Sequence, residues 1–434
     1  MSASQDTIFA VATAPGKAGV AIIRLSGPQA AYAIQALSRS ERGADRQAVF
    51  RKLFDLTNGD LIDSGLLLFF PGPHSFTGED VAEFQIHGGR AVTAALLQGL
   101  ASMAGLRPAE PGEFTRRAVE NGRLDLTQAE AIADLVNAET QAQHRLALRQ
   151  MEGRLTGIYE NWRARLIHAA AWIEAGIDFA DEDIPPEAAE TSRASLLSIW
   201  QEIQAHLSDG RRGEILREGF HVAIIGAPNV GKSSLLNALA QRDVAIVSDI
   251  PGTTRDVLEV RLDLRGYPII LADTAGLRES EDRIEQEGVK RALARAKGAD
   301  LRILVLDVTA PNYLSGSDSD ITVWNKADLA PERHEAGLWV SARTGEGLEA
   351  LIGQIADVAA ERLDIGEAPV LTRARHRVAL EEAVASISGG LASEEPELAA
   401  EHLRHALRSI GRITGRVDLD ELLDVVFRDF CIGK

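Results

Sequence analysis

The stretch that decides the fold is His221-Val-Ala-Ile-Ile-Gly226-Ala-Pro-Asn-Val-Gly231-Lys232-Ser233-Ser. An apolar strand runs up to Gly226, a tight polar loop follows, and a helix begins after the loop. Position for position, the loop matches G-x-x-x-x-G-K-[ST], in which backbone N–H groups and a helix N-terminus attract phosphate. We expect Lys232 to reach the β- and γ-phosphates and the Ser233 hydroxyl to bind Mg²⁺. The alternative, a chance glycine-rich turn, does not account for the strand and the helix on either side.

Two segments further along the chain supply groups for the metal and the γ-phosphate. The polar loop 251–256 (PGTTRD) contains Thr254, whose hydroxyl can complete the Mg²⁺ shell. The apolar strand in 269–276 (IILADTAG) ends in Asp273, which suits the metal, and in Gly276, whose N–H can meet the γ-phosphate. Their order after the phosphate loop is the order that a GTPase requires.

The segment 321–328 (ITVWNKAD) predicts that the base is guanine. Its carboxylate, Asp328, can accept hydrogen bonds from two N–H groups on one edge of guanine, and adenine offers no such pair. A second loop, 341–343 (SAR), is placed so that a backbone N–H can meet guanine O6. The predicted GTP-binding residues are Asn229, Val230, Gly231, Lys232, Ser233, Ser234, Ser248, Asp249, Ile250, Pro251, Gly252, Thr253, Thr254, Asp273, Thr274, Ala275, Gly276, Asn325, Lys326, Asp328, Ser341, Ala342 and Arg343.

Composition limits the classes of function. Acidic residues (64) outnumber basic ones (46) in the 434 residues, and the net charge is −18. A general polyanion-binding surface is therefore not expected, and any RNA contact must be local or supplied by a partner. The single cysteine, Cys431, excludes a disulfide framework and favours a reducing compartment. With no signal peptide and no membrane-length apolar run, we predict a cytoplasmic protein that does not contact a membrane.

The chain is predicted to contain an α/β domain, a helical domain and an inserted Ras-like, doubly wound P-loop GTPase domain. Helical patterns occur on both sides of the nucleotide-binding segment, which indicates that this segment is inserted into one helical domain. The predicted segments are 1–118 (N-terminal α/β), 119–217 (helical, first part), 218–363 (inserted G domain) and 364–434 (helical, second part). Strands are expected at 7–13, 19–25, 66–70 and 81–87, and helices at 29–38, 91–103, 129–151, 155–177, 194–207, 373–388, 397–411 and 418–430.

Three local expectations concern the connections. Thr127 and Glu130 have the spacing of a capping box at the start of a helix. The crossover 309–320 is barely long enough for a parallel connection and rich in helix breakers, so we expect a shortened or missing helix there. The acidic stretch 181–183 is interpreted as a solvated linker; the alternative, a metal site, requires that the carboxylates converge.

With these pieces in place, the chain resembles the MnmE (TrmE) family of tRNA-modification GTPases. The resemblance is carried by 18–27 (AGVAIIRLSG), 76–80 (FTGED), 87–89 (HGG), 111–115 (PGEFT), 122–131 (GRLDLTQAEA), the GTPase motifs and the terminal FCIGK. It implies a homodimer with a folate-binding N-terminal domain and a potassium-activated G domain. It also implies a heterotetramer with the flavoprotein MnmG, which carries the FAD. That complex adds a carboxymethylaminomethyl or aminomethyl group to the wobble uridine of certain tRNAs, using a 5-formyl or 5,10-methylene tetrahydrofolate.

The resemblance also implies roles for individual residues. Some family members have Lys where this chain has Arg123, and the charge is kept. An anionic folate tail suits Arg and Lys, and Glu83 suits the donor edge of a pterin. By family motif, the folate-binding residues are Arg24, Glu83, Arg123 and Lys434, the K⁺ ligands are Asn229, Ser248, Ile250 and Thr253, and the Mg²⁺ ligands are Ser233 and Thr254.

The water-orienting group must differ from that of Ras-type GTPases, because Leu277 occupies the position of their Gln. The resemblance implies that Glu285 orients the water and that K⁺, held by Asn229, replaces an arginine finger. Glu285, Lys232 and Cys431 are the predicted catalytic residues.

Bland alternatives stay open for several of these side chains. Glu285 lies in a charged segment and is, from its surroundings alone, an exposed helix carboxylate. Arg24 and Glu83 are, without the family, solvent-facing or hydrogen-bonded strand residues. Cys431 is either a nucleophile or a packing residue.

Two rival classes of function remain. The first is an RNA-binding assembly GTPase that does no chemistry on its RNA, but an acidic chain lacks the basic module that this class uses. The second is a folate-dependent transferase whose GTPase is only regulatory. Folate binding, and tRNA modification with and without MnmG, distinguish these classes.

Overall fold

The computed structural model describes most of the chain in two compact units. The described residues are 6–178, 186–242, 244–246, 259–273, 298–310, 319–330, 337–366, 369–417, 423, 426 and 433. One unit consists of Met1–Ala133, Thr156–Ala164 and Arg404–Lys434, and the other of Asp134–Leu155 and Arg165–Leu403. No helix in the described ranges is long and apolar enough to span a membrane.

The N-terminal part of the first unit is a six-stranded sheet with helices on it. The strand order is β3-β4-β5-β2-β1-β6, with antiparallel neighbours except for the parallel pair β1–β6. Alternating apolar side chains on β2 and β5 pack with α1 and α2 to form the core. The elements are β1 (Thr7–Val11), β2 (Ala18–Ser26), α1 (Ala30–Ser38), β3 (Val49–Phe54), β4 (Leu61–Phe70), β5 (Val81–Gly88), α2 (Arg90–Ala101), β6 (Leu106–Pro108) and α3 (Glu113–Glu120).

Most of the predicted strands of this sheet are present. β1, β2, β5, α1 and α2 lie where their apolar patterns placed them. β4 begins at Leu61, earlier than the predicted start, because its first half pairs with β3 in a hairpin at the edge of the sheet. β3 and β6 were not predicted, since their residues (VFRKLF and LRP) carry little alternation.

The capping box predicted at Thr127 is wrong. The helix α4 (Leu126–Asn137) begins one residue before Thr127, so the side chain of Asp125 is the one that caps it. Asp125 Oδ1 accepts hydrogen bonds from the N–H groups of Thr127 (2.8 Å) and Gln128 (3.0 Å), and Gln128 Oε1 accepts from the N–H of Asp125 (3.1 Å). The capping box is therefore Asp125 with Gln128.

The helix predicted at 129–151 is two helices. Thr140 is extended, and its side chain forms a capping box with Gln143, so a new helix begins after it. The helices predicted at 155–177, 373–388 and 397–411 are confirmed, and the one predicted at 194–207 begins earlier, at Pro186. Most of 418–430 lies outside the described residues. The helices are α4, α5 (Gln141–Met151), α6 (Arg154–Asp178), α7 (Pro186–Leu207) and α8 (Arg212–Glu218) before the nucleotide-binding segment, and Ala374–Ala392 and Pro396–Thr414 after it.

The nucleotide-binding segment contains a second six-stranded sheet of order β12-β11-β10-β7-β9-β8. All neighbours are parallel except β8, which joins the edge antiparallel to β9 through a turn at Arg265 and Gly266, both with positive φ (54° and 88°). The elements are β7 (Phe220–Ile225), α9 (Lys232–Ala240), β8 (Glu259–Leu264), β9 (Tyr267–Asp273), β10 (Leu301–Asp307), β11 (Ile321–Asn325), a 3₁₀ turn (Ala327–Leu329), β12 (Leu338–Trp339) and α10 (Leu348–Leu363).

Apolar strands hold this sheet together. Side chains of β7 and β10 form one core with α9 and α10, and Trp324 and Trp339 stack in a smaller cluster on the other face, 5.8 Å apart. Residues 311–318 of the predicted helix-poor crossover, and the acidic stretch 181–183, lie outside the described residues. Because β7, β10 and β11 are parallel, the loops that follow them lie at one edge of the sheet, where α/β domains bind ligands.

Candidate nucleotide site

The loop between β7 and α9 has a backbone that only glycine permits at two positions. Gly226 and Gly231 have φ values of 157° and 94°. A Cβ atom on Gly226 would lie 2.4 Å from the carbonyl oxygen of Val305, and one on Gly231 would lie 2.3 Å from Nδ2 of Asn325. Asn229, exposed between them, has a φ of 62°, which asparagine tolerates. The loop is therefore folded tightly against β10 and β11.

Lys232 is held inside this loop. Its side chain is buried, and its Nζ donates hydrogen bonds to the carbonyl oxygens of Gly226 (3.0 Å) and Ala227 (2.9 Å). Ser233 and Ser234 follow in the exposed first turn of α9, at the helix N-terminus, which carries partial positive charge. An ammonium group, a helix N-terminus and two hydroxyl groups thus meet in one place, as phosphate with Mg²⁺ requires.

Asn325 joins two loops. It is the last residue of β11 and is 2% exposed. Its Nδ2 donates to the carbonyl oxygen of Val230 in the phosphate loop (2.8 Å), and its Oδ1 accepts from the N–H of Ala342 (3.2 Å). The amide therefore positions the phosphate loop against the 341–343 loop, and it does not itself point into solvent.

Asp328 is an acceptor that already has donors. Its Oδ1 accepts from Ser341 Oγ at 2.5 Å, and its Oδ2 accepts from Arg343 Nε at 3.1 Å and from Arg343 Nη2. The Ser341 hydroxyl and the Arg343 guanidinium hold the pKa of the Asp328 carboxyl below its usual value, so it is ionised at neutral pH. An ionised carboxylate is the acceptor that two N–H groups of a base require.

The sequence did not single out Asp307, which contacts Lys326. Asp307 ends β10, directly beside Asn325 on β11, and its Oδ2 forms an ion pair with Nζ of Lys326. Its Oδ1 accepts from the N–H (2.9 Å) and the hydroxyl (2.7 Å) of Thr309. Burial raises the pKa of the Asp307 carboxyl, but the hydrogen bonds from Lys326 and Thr309 outweigh burial and hold it below its usual value.

Part of the predicted site lies outside the described residues. Asp273 ends β9 beside Ile224 of β7, which places its backbone at the same sheet edge as the phosphate loop. Among the described residues, no cluster of three or more His, Cys, Asp or Glu side chains is arranged to hold a metal ion. The predicted residues outside the description are Ser248, Asp249, Ile250, Pro251, Gly252, Thr253, Thr254, Thr274, Ala275, Gly276, Glu285, Cys431 and Lys434.

In the N-terminal sheet, Arg24 and Glu83 are cross-strand partners. Arg24 Nε and Nη2 each lie 2.9 Å from Glu83 Oε1, and the Arg24 guanidinium is 5.7 Å from the centre of the Phe76 ring. Arg123 packs on the same loop as Phe76, because a Cβ atom on Gly78 would lie 3.2 Å from Arg123 Cγ. The Arg24–Glu83 pair is half-buried and hydrogen-bonded, which agrees with the alternative that both are hydrogen-bonded strand residues. Their role in folate binding stays a prediction.

The sheet order, the phosphate loop with Lys232 and the segment from Asn325 to Asp328 define a P-loop nucleotide-binding domain. The same chain also contains an N-terminal α/β domain and a set of helices. Two family descriptions match the chain: "GTP-binding protein TrmE N-terminus" over residues 7–123 and "MnmE helical domain" over residues 126–431. The chain belongs to the MnmE family of tRNA modification GTPases.

Relatives match over the full length. The tRNA modification GTPase MnmE of Parvibaculum lavamentivorans is 54% identical over 437 residues, covering 99% of this chain and 100% of its own. That of Rhodospirillum rubrum is 53% identical over 452 residues, covering 99% of both chains. Among solved structures, the G domain of the T. maritima FeoB iron transporter is 31% identical, covers 32% of this chain and 98% of its own, and has a TM-score of 0.25.

Proposed function

We propose that this chain is a potassium-activated GTPase which, with the flavoprotein MnmG, adds a carboxymethylaminomethyl or aminomethyl group to the wobble uridine of certain tRNAs. The observation that carries the proposal is the arrangement of Asn325 and Asp328 beside the phosphate loop, in a chain that is 54% identical to an MnmE over its full length.

The phosphate loop and the base-binding segment contact opposite ends of the nucleotide. Lys232 and the first turn of α9 hold the phosphates, and Asp328 accepts hydrogen bonds from the guanine edge. Mg²⁺ would be held by the hydroxyl groups of Ser233 and Thr254, where it would neutralise charge on the phosphates. Adenine nucleotides are rejected, because they leave the Asp328 carboxylate without matching donors.

Hydrolysis needs a cation and a water-orienting group, since Leu277 cannot orient water. Asn229 is exposed on the phosphate loop, where its side chain is available to K⁺. By family motif, Ser248, Ile250 and Thr253 would complete the K⁺ site. K⁺ held at this site would supply the positive charge that an arginine finger supplies elsewhere, and Glu285 orients the attacking water.

The one-carbon unit enters through the N-terminal domain. A 5-formyl or 5,10-methylene tetrahydrofolate is bound by Arg24, Glu83, Arg123 and Lys434, in which the cationic groups meet the anionic tail and Glu83 meets the donor edge of the pterin. In the described structure Arg24 and Glu83 are already hydrogen-bonded to each other, which holds both polar groups beside the Phe76 ring. Cys431 is the candidate nucleophile at the same terminus as Lys434.

The assembly is a homodimer that joins MnmG in a heterotetramer in the cytoplasm. A chain with a net charge of −18 is unsuited to bind tRNA over a broad surface, so the partner provides most of the tRNA contact as well as the FAD. GTP hydrolysis drives a conformational cycle of this complex.

Measuring GTP turnover in K⁺ and in Na⁺ tests the hydrolytic part of the proposal. We expect turnover in K⁺ to exceed that in Na⁺ by at least about ten-fold, since a bound ion that stabilises developing charge contributes several kcal/mol. The gain should vanish in Asn229→Ala and persist in Asn58→Ala, which removes an exposed amide in another domain. Equal turnover of the unmodified chain in both salts would contradict the proposal.

A further inference from the structure

Asp307, which is not among the residues assigned to the nucleotide, forms an ion pair with Lys326, which is. Asp307 is 8% exposed, and only one of its oxygens faces Lys326, because Thr309 occupies the other with two hydrogen bonds. The carboxylate therefore has a single orientation, fixed by its own strand end. A carboxylate held in this way can fix the position of a cation.

The backbone makes the same connection. Asp307 and Asn325 are register partners on adjacent parallel strands, and the N–H of Val308 donates to the carbonyl oxygen of Asn325 (3.2 Å). Lys326 itself has a φ of 67°, in the left-handed region that a non-glycine residue adopts only when its surroundings hold it there. From Lys326 the chain enters the 3₁₀ turn that carries Asp328.

We propose that Asp307 is a positioning residue for the base-binding loop 325–328. It holds the ammonium group of Lys326, and so it keeps the Lys326 backbone in the left-handed conformation that directs the chain toward Asp328. The proposal rests on the proposed binding of guanine nucleotides. It assigns the charge of Lys326 to the protein's own framework and not to the nucleotide.

A different role is possible for the same carboxylate. The hydrogen bonds to Thr309 alone would make Asp307 a local end-cap of β10, with no effect on the base. The two roles differ in what they predict for the guanine edge. Loss of positioning weakens the hydrogen bond between Asp328 and the guanine 2-amino group, which the hypoxanthine base of IDP lacks, so the affinity for GDP falls more than that for IDP. A local defect lowers the affinity for GDP and for IDP equally.

The test uses the full chain and titrates GDP and IDP by calorimetry into four variants. Asp307→Asn, Lys326→Met and the double variant remove one or both partners of the pair. Asp320→Asn is the matched control, because Asp320 pairs with Arg302 and Arg362 in the same domain, away from the loop. Thermal unfolding of each variant separates loss of positioning from loss of folding.

We expect Asp307→Asn to weaken GDP binding by at least about ten-fold, the cost of losing a charged hydrogen bond, and to lower the preference for GDP over IDP. The double variant should bind GDP no more weakly than the single variant with the lower GDP affinity, since each single substitution already removes the same ion pair. Unchanged preference in Asp307→Asn, additive losses in the double variant, or an equal loss in Asp320→Asn would overturn the positioning role. Equal affinity of the unmodified chain for GDP and IDP would instead contradict the proposed guanine recognition.

Discussion

Replacing Asn325 by alanine removes the amide that joins the phosphate loop to the 341–343 loop. The substitution leaves the carbonyl oxygen of Val230 and the N–H of Ala342 without their partner in a site that is 2% exposed at Asn325. A buried polar group left unpaired costs about 1–3 kcal/mol. Ala342 is only half-buried, so we expect a total loss of about 2–4 kcal/mol.

Because both loops contact the nucleotide in our account, this loss should appear as weaker binding. A loss of about 2–4 kcal/mol corresponds to about thirty-fold to a thousand-fold in the dissociation constant for GDP. Asn325→Asp should weaken binding at least as much as Asn325→Ala, because it places a buried carboxylate against the carbonyl oxygen of Val230. Calorimetric titration with GDP measures the affinity, and hydrogen exchange of peptides that contain Ala342 measures the opening of the loop.

The control is Asn58→Ala, which removes an exposed amide from the N-terminal domain. GDP affinity within two-fold of the parent in Asn325→Ala, together with unchanged exchange at Ala342, would refute the bridging role. Equal losses in Asn325→Ala and Asn58→Ala would also refute it.

Three further predictions concern other parts of the account. Asp328→Asn should weaken GTP binding and shift the preference toward xanthine nucleotides, since an amide donates where xanthine has a carbonyl; competition binding with an unchanged preference would refute this. Glu285→Ala should bind GTP normally and hydrolyse it about 10²–10⁴-fold more slowly. Single-turnover hydrolysis at the parent rate would show that Glu285 is an exposed carboxylate with no role in orienting water. Asp134 accepts from Arg217 Nε (3.0 Å) and Arg373 Nη2 (2.7 Å), on the two segments that flank the nucleotide-binding sheet. Asp134→Ala should therefore lower the free energy of unfolding by about 1–3 kcal/mol. An unchanged urea midpoint would show that the bonds from Asp134 to Arg217 and Arg373 do not stabilise the fold.

The parts of the molecule that were predictable from sequence are those in which local chemistry decides the backbone. Gly226 and Gly231 are required by close approaches of Val305 and Asn325, so the motif and the geometry agree. The apolar strands of both sheets are likewise visible, because burial imposes their pattern.

What the sequence did not reveal depends on partners that are distant along the chain or on one-residue choices. Asp307 acts on Lys326 only because two parallel strands are in register, and no local pattern marks that pairing. The cap of α4 fell on Asp125 and not on Thr127, since both residue types suit a helix start and the difference is a single position. β3 pairs only by virtue of its hairpin with β4.

The central claim is that this chain is required to modify the wobble uridine of tRNA. The most direct measurement is nucleoside analysis by mass spectrometry of tRNA from cells that lack the chain, beside cells in which the unmodified chain or Asp328→Asn is restored. We expect the carboxymethylaminomethyl and aminomethyl uridines to disappear without the chain, to return with the unmodified chain and to stay low with Asp328→Asn. A full set of modified uridines in cells that lack the chain would contradict it.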